Sequence, residues 1–136
     1  MSFTDWLGGE AMTQRITYWA TTGLLAADAL FVAILYLSGN AQVVNAFVHL
    51  GYPQQLRFLL GIAKFLGAIA LIMPGVPRLK EWAYAGFTFA WIAASIAHYI
   101  AGDRAETVLV VVLLVMLFFS YATRPATRTW ITAEAA

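Results

Sequence analysis

Between Gly51 and Phe87 the chain reads GYPQQLRFLLGIAKFLGAIALIMPGVPRLKEWAYAGF, and this stretch limits the fold more than any other. An apolar run with Lys64 at its centre stops at Pro74-Gly75-Val76-Pro77, which no helix continues through, and another helix-forming run opens directly behind it. Arg57 and Lys64 therefore sit inside a segment that otherwise suits lipid. The rest of the chain leaves little choice of solvent. It is 62% hydrophobic and 11% charged over 136 residues, where soluble domains carry about 25% charged residues. There is too little polar surface to cover a soluble globule, so the sequence describes one integral membrane domain.

Four apolar segments follow from this reading, at about 16–37, 56–73, 81–100 and 107–121, each near the ~20 residues that cross hydrocarbon as a helix. Tyr18, Trp19 and Tyr36 flank the first as interfacial aromatics. Arg15, the apolar run and Ala27-Asp28-Ala29 imitate a signal peptide, but the run continues to Leu37 and reads as an uncleaved span. Residues 1–14 read as a frayed terminus, with Trp6 and Leu7 able to touch the membrane surface. Asn40 to Leu50 has apolar residues at roughly helical spacing and reads as a short interfacial helix. The tail after Arg124-Pro125 is polar and reads as loose. Four spans put both termini on one side, with Arg15, Arg78, Lys80, Arg124 and Arg128, against Arg57 and Arg104 on the other. The positive-inside rule makes the richer side cytoplasmic. The expected fold is all-α: a four-helix transmembrane bundle with both termini in the cytoplasm.

Depth and phase pick out the candidate residues. At ~1.5 Å per residue, Asp28 lies roughly 18 Å from the start of span one and Lys64 about 12 Å from the opposite face, so the two reach a similar level. An Asp28–Lys64 intramembrane pair is expected, as a device that fixes helix register or as a binding or proton-handling site. Arg57, Gly61, Lys64 and Ala68 share one face of span two, and Ala83, Gly86, Ala90 and Ala97 form a small-residue stripe on span three; both read as packing faces. Arg57, Tyr52 and His98 are candidate ligands at the outer mouth, near His49, Asp103 and Arg104. There His98 could bond a quinone carbonyl or exchange a proton. A bis-histidine haem is not expected, since His49 sits on a surface segment, and no His/Glu cluster suits a metal. Without cysteine there is no thiol chemistry. No phosphate loop or nucleophile elbow is present, and a net charge of +1 gives no case for nucleic acid.

Several blocks of the chain carry a family likeness: His49-Leu50-Gly51-Tyr52-Pro53, Leu60-Gly61-Ile62-Ala63-Lys64 and, longest, Pro77-Arg78-Leu79-Lys80-Glu81-Trp82-Ala83-Tyr84-Ala85-Gly86-Phe87, followed by His98 and Gly102-Asp103. With these the sequence resembles the DoxX-like family of small four-span bacterial membrane proteins. The resemblance implies a multi-pass protein of the bacterial cytoplasmic membrane. It also implies a link to quinone-dependent oxidation, the family being named after a subunit of a thiosulfate:quinone oxidoreductase. Gln42 stands where members often carry a lysine, and Asp28 is not a family position. The expected role is an accessory subunit, partnered by lipid and by larger redox subunits or further copies of itself, with a redox partner or quinone near Arg57, Lys64 and His98. The rivals are a small carrier using Asp28 and Lys64, and a quinone oxidoreductase component with its own site.

Overall fold

The computed structural model describes residues 3–129. Five α-helices follow in order: α1 (Phe3–Ser38), α2 (Ala41–His49), α3 (Gln54–Ile72), α4 (Pro77–Ala101) and α5 (Arg104–Ala122), then a 3-10 turn over Ala126–Arg128. No strand occurs among the described residues. α1, α3 and α5 are long and apolar enough to cross a membrane by length and composition. α4 has the length, at 25 residues, but Lys80, Glu81, His98 and a scatter of Thr, Ser, Trp and Tyr make it less apolar.

Each break has a local cause. Gly39, Gly51, Gly75 and Gly102 all take positive φ. The one after α4 closes a Schellman turn, in which the Asp103 amide donates to the His98 carbonyl at 2.9 Å and the Gly102 amide to that of Tyr99 at 3.2 Å. Asn40 caps α2 by accepting from the Gln42 amide at 3.0 Å. Pro77 opens α4 at a first-turn position, where its missing N–H leaves no helical bond unmade.

α1, α3, α4 and α5 pack in a ring, each against two others, and α2 lies against α3 and the end of α1. The shared core holds Leu25 and Ala29 of α1, Ala68 and Leu71 of α3, Tyr84, Phe87 and Trp91 of α4 and Leu117 of α5. Small residues set the closest approaches. A Cβ on Gly61 would lie 3.0 Å from the Leu37 side chain and 3.1 Å from the Tyr36 Cβ, and one on Gly67 would lie 2.9 Å from the Phe87 ring. α3 thus uses its two glycines on different neighbours, one on α1 and one on α4. Gly86 behaves differently: a Cβ there meets nothing within 4 Å. That half of the α4 stripe, expected to pack tightly, instead borders an open crevice.

Two boundaries differ from the sequence reading. α1 begins at Phe3, well before the apolar run that opens near Ile16; no proline precedes Ile16, and the helix runs through Gly8-Gly9, where the Thr13 hydroxyl donates to the Gly9 carbonyl at 2.9 Å. The side chains of Trp6 and Leu7 lie outside the described residues. Residues 126–129 are docked rather than loose, since Arg128 reaches back to α3; the rest of the expected loose tail lies outside the described residues.

Candidate functional site

Basic side chains in a lipid-like sequence need acceptors, and most find them at helix C-termini, where the last carbonyls have no partner in their own helix and the dipole is negative. Arg57 donates from Nη1 to the Tyr36 carbonyl near the end of α1, and from Nε to Gln54 Oε1 at 2.7 Å. The end of α3 is fully served. Met73 N–H covers Ile69, Lys80 Nζ donates to the Ala70 (2.7 Å) and Met73 carbonyls, and Arg128 donates to those of Leu71 and Ile72, at 3.3 Å each. Arg128 also lies over the Trp19 ring, 4.5 Å from its centroid. At the end of α5, Arg124 donates to the Tyr121 carbonyl at 3.2 Å, pairs with Glu81 and covers the Tyr121 ring. Beneath these clamps the buried hydroxyls of Thr22, Ser120 and Tyr84 join α1, α5 and α4 at 2.6 and 2.7 Å. Lys80, Arg124 and Arg128 at this end are therefore structural.

At the opposite end Asp103 occupies the N-cap position of α5, yet its carboxylate makes no cap bond. Both oxygens are turned to histidines instead. His98 Nδ1 lies 3.0 Å from Oδ2, and His49 Nε2 lies 3.1 Å from Oδ1. The Schellman turn supplies the geometry, since it folds residue 103 back onto residue 98. His98 and His49, bonded as donors, hold the Asp103 carboxyl below its ordinary value of 3.8, against a smaller opposing effect of desolvation. An ionised carboxylate only accepts, so both imidazoles present N–H to it, and His98 keeps Nε2 as its remaining edge. His98 is 18% exposed and His49 56%. Among the described residues no group of three or more His, Cys, Asp or Glu is placed to hold a metal ion.

Of the three outer-mouth candidates, His98 enters this latch and Arg57 is taken up by α1. Tyr52 rests beside Phe47, ring centroids 6.4 Å apart. No hydrogen bond joins Arg57, Tyr52 and His98 to one another among the described residues. The carboxylate that ties both histidines together was not singled out as a ligand; its signal was an Asp after a glycine, five residues beyond a histidine at a helix end.

Lys64 is the exception among the buried basic groups. It is 8% exposed, and its ammonium faces three rings, with centroids of Trp91, Phe87 and Tyr36 at 5.4, 5.9 and 6.0 Å. Phe87 and Trp91 stack one turn apart on α4, an i, i+4 aromatic pair that the sequence displays. Asp28 is the charge that acts on Lys64 and Lys64 the one that acts on Asp28. No ion pair within 4.0 Å joins them, and no acceptor bonds the Lys64 ammonium, among the described residues. Lys64 lines a crevice of about 480 Å³ between α3 and α4 whose other walls are almost wholly apolar.

A search of curated proteins returned no match, and none was found among solved structures. The DoxX-like family model matches residues 20–120, a stretch that runs from α1 to the end of α5 and holds the latch, Asp28, Lys64 and the crevice. The chain belongs to the DoxX-like family.

Proposed function

We propose that this protein is a four-span subunit of the bacterial cytoplasmic membrane, with both termini in the cytoplasm, that serves a membrane redox system by receiving a quinone beside His98. The observation that carries this reading is the Asp103 latch. An N-cap aspartate that leaves its own helix uncapped gives up stabilisation of about 1 kcal/mol, and here it orients two imidazoles instead. A histidine backed by a carboxylate is held in one tautomer and leaves its far nitrogen to exchange a proton with a ligand. His98 would accept from a hydroxyl of the reduced quinol at Nε2, since Nδ1 carries the proton given to Asp103, and Tyr52 and Arg57 are the neighbouring candidates on that side. A quinone, when bound, would supply redox chemistry coupled to protons, its electrons exchanged with a partner. The role is therefore accessory, in company with larger redox subunits.

The test is to purify the protein in mild detergent, record its absorption spectrum and extract bound quinone, for the wild type and for His98→Gln. Quinone in stoichiometric amount from the wild type, and a several-fold loss in the variant, are expected. Absence of quinone from both would sink the reading. A second reading, a small carrier, is favoured by the mutual electrostatic coupling of Asp28 and Lys64 without contact; it predicts solute-dependent proton flux in vesicles holding this chain alone.

A further inference from the structure

The crevice between α3 and α4 is a second site, independent of His98. Four features coincide there. Its volume, about 480 Å³, falls within the ~300–1,000 Å³ of small-molecule sites. Its rim is open on the outer face of the helices, with Trp82 75%, Leu66 59% and Leu79 46% exposed. Its lining offers one charged group, Lys64, and the Trp82 indole as the only other polar side chain. Lys64 is more than nine-tenths buried and has no bonded acceptor among the described residues. Every other buried or half-buried lysine or arginine described above is held by carbonyls or a carboxylate, whereas Lys64 is left with three rings and the longer-range charge of Asp28. Ring faces attract an ammonium but do not accept its hydrogen bonds as an oxygen does.

We infer that this crevice binds a lipophilic carboxylate, which enters sideways from the lipid and sets its carboxylate on the Lys64 ammonium. A phosphate would bring several charged oxygens to a wall with one cation, and those left over would be buried without donors. A neutral ester or ketone would bring no charge to the ammonium. A carboxylate brings one negative charge to the one ammonium, its apolar body lying along the ~13 Å of α3 between Lys64 and Met73. Gly86 and Ala90 keep the α4 wall low enough for that body.

The probe is 9,10-dibromostearic acid, whose bromines quench indole fluorescence, added to the full chain in nanodiscs of neutral phosphatidylcholine, with its methyl ester as the control for simple partitioning. Trp82 and Trp91 report from the crevice and from the Lys64 rings. The wild type should show saturable quenching by the acid at a concentration at least tenfold below that for the ester. Lys64→Met should erase the preference. Gly86→Leu, whose side chain enters open space and keeps Lys64 intact, should erase it as well and covers the case in which Lys64→Met fails to fold. Equal quenching by acid and ester in the wild type, or a preference that survives Gly86→Leu, would overturn the assignment. Neither result bears on quinone recovery, which is read at His98.

Discussion

At the scale of single residues, two glycines and the charges of Asp28 and Lys64 invite measurement. Gly61 lets α1 and α3 close up, and an added methyl would meet the Tyr36 Cβ, an atom that cannot swing away from its own helix. Gly61→Ala gains up to about 1 kcal/mol in helix propensity but meets overpacking of typically 1–3 kcal/mol. A net loss is expected, seen as a lower melting temperature in detergent. Gly67→Ala presses on the edge of the Phe87 ring instead, so its mark should be a changed environment around Lys64, read through Trp91 fluorescence. Asp28 and Lys64 make no ion pair within 4.0 Å, and the proposal for them is a longer-range charge coupling. Lys64→Met should then destabilise more than Lys64→Met combined with Asp28→Leu, with a coupling of about 0.5–3 kcal/mol. Equal stability of the single and double variants would dispose of the pair. What could be read from residues alone was the depth of these two groups. Their separation, and the three rings around Lys64, depend on rotamers and on the phase of α1 against α4, which helix periodicity does not settle.

At the scale of elements, the ends of helices explain the puzzle posed by basic residues in an apolar chain. α3 ends at a Pro-Gly turn with no polar residue of its own to cap it, so its carbonyls are met by Lys80 from α4 and Arg128 from the tail. Lys80 is 1% exposed. Lys80→Met should leave buried carbonyls without donors at a cost of about 1–3 kcal/mol. Arg128→Met should cost less, because its site is partly open; thermal unfolding of the two variants checks the order. The α4–α5 turn makes a prediction about acid. Folding holds the Asp103 carboxyl below its ordinary value, so the unfolded chain binds that proton more readily than the native one. The latch contributes in full above about pH 4 and loses its contribution as pH falls through the depressed native value. Asp103→Asn should flatten this step in acid unfolding. Boundaries of α2 to α5 were legible from apolar runs and from Gly and Pro. The caps were not, because they join residues as distant as Ile72 and Arg128.

At the scale of the whole molecule, the question is which end faces the cytoplasm. Gln14 donates to the Thr123 carbonyl, and Arg128 lies within 3.4 Å of the Tyr18 hydroxyl, so the start of α1 and the end of α5 share one end of the ring of helices. The α3–α4 turn lies at that same end, since Lys80 and Arg128 meet over the last turn of α3. If α4 spans as α1, α3 and α5 can by length and composition, this end carries five cations against two, and it should stay inside. Burial of Lys80 and Arg124 in structural contacts does not weaken the argument: the rule acts on the chain as it is inserted, before those contacts form. The absence of cysteine makes the test clean, as any introduced thiol is unique. Gln42→Cys, on the exposed side of α2, should react with a membrane-impermeant maleimide in intact spheroplasts. Val76→Cys, in the α3–α4 turn, should react only after permeabilisation. The reverse pattern would invert the bundle and put the Asp103 latch in the cytoplasm, while labelling of both in intact cells would mean that α3 does not cross the membrane.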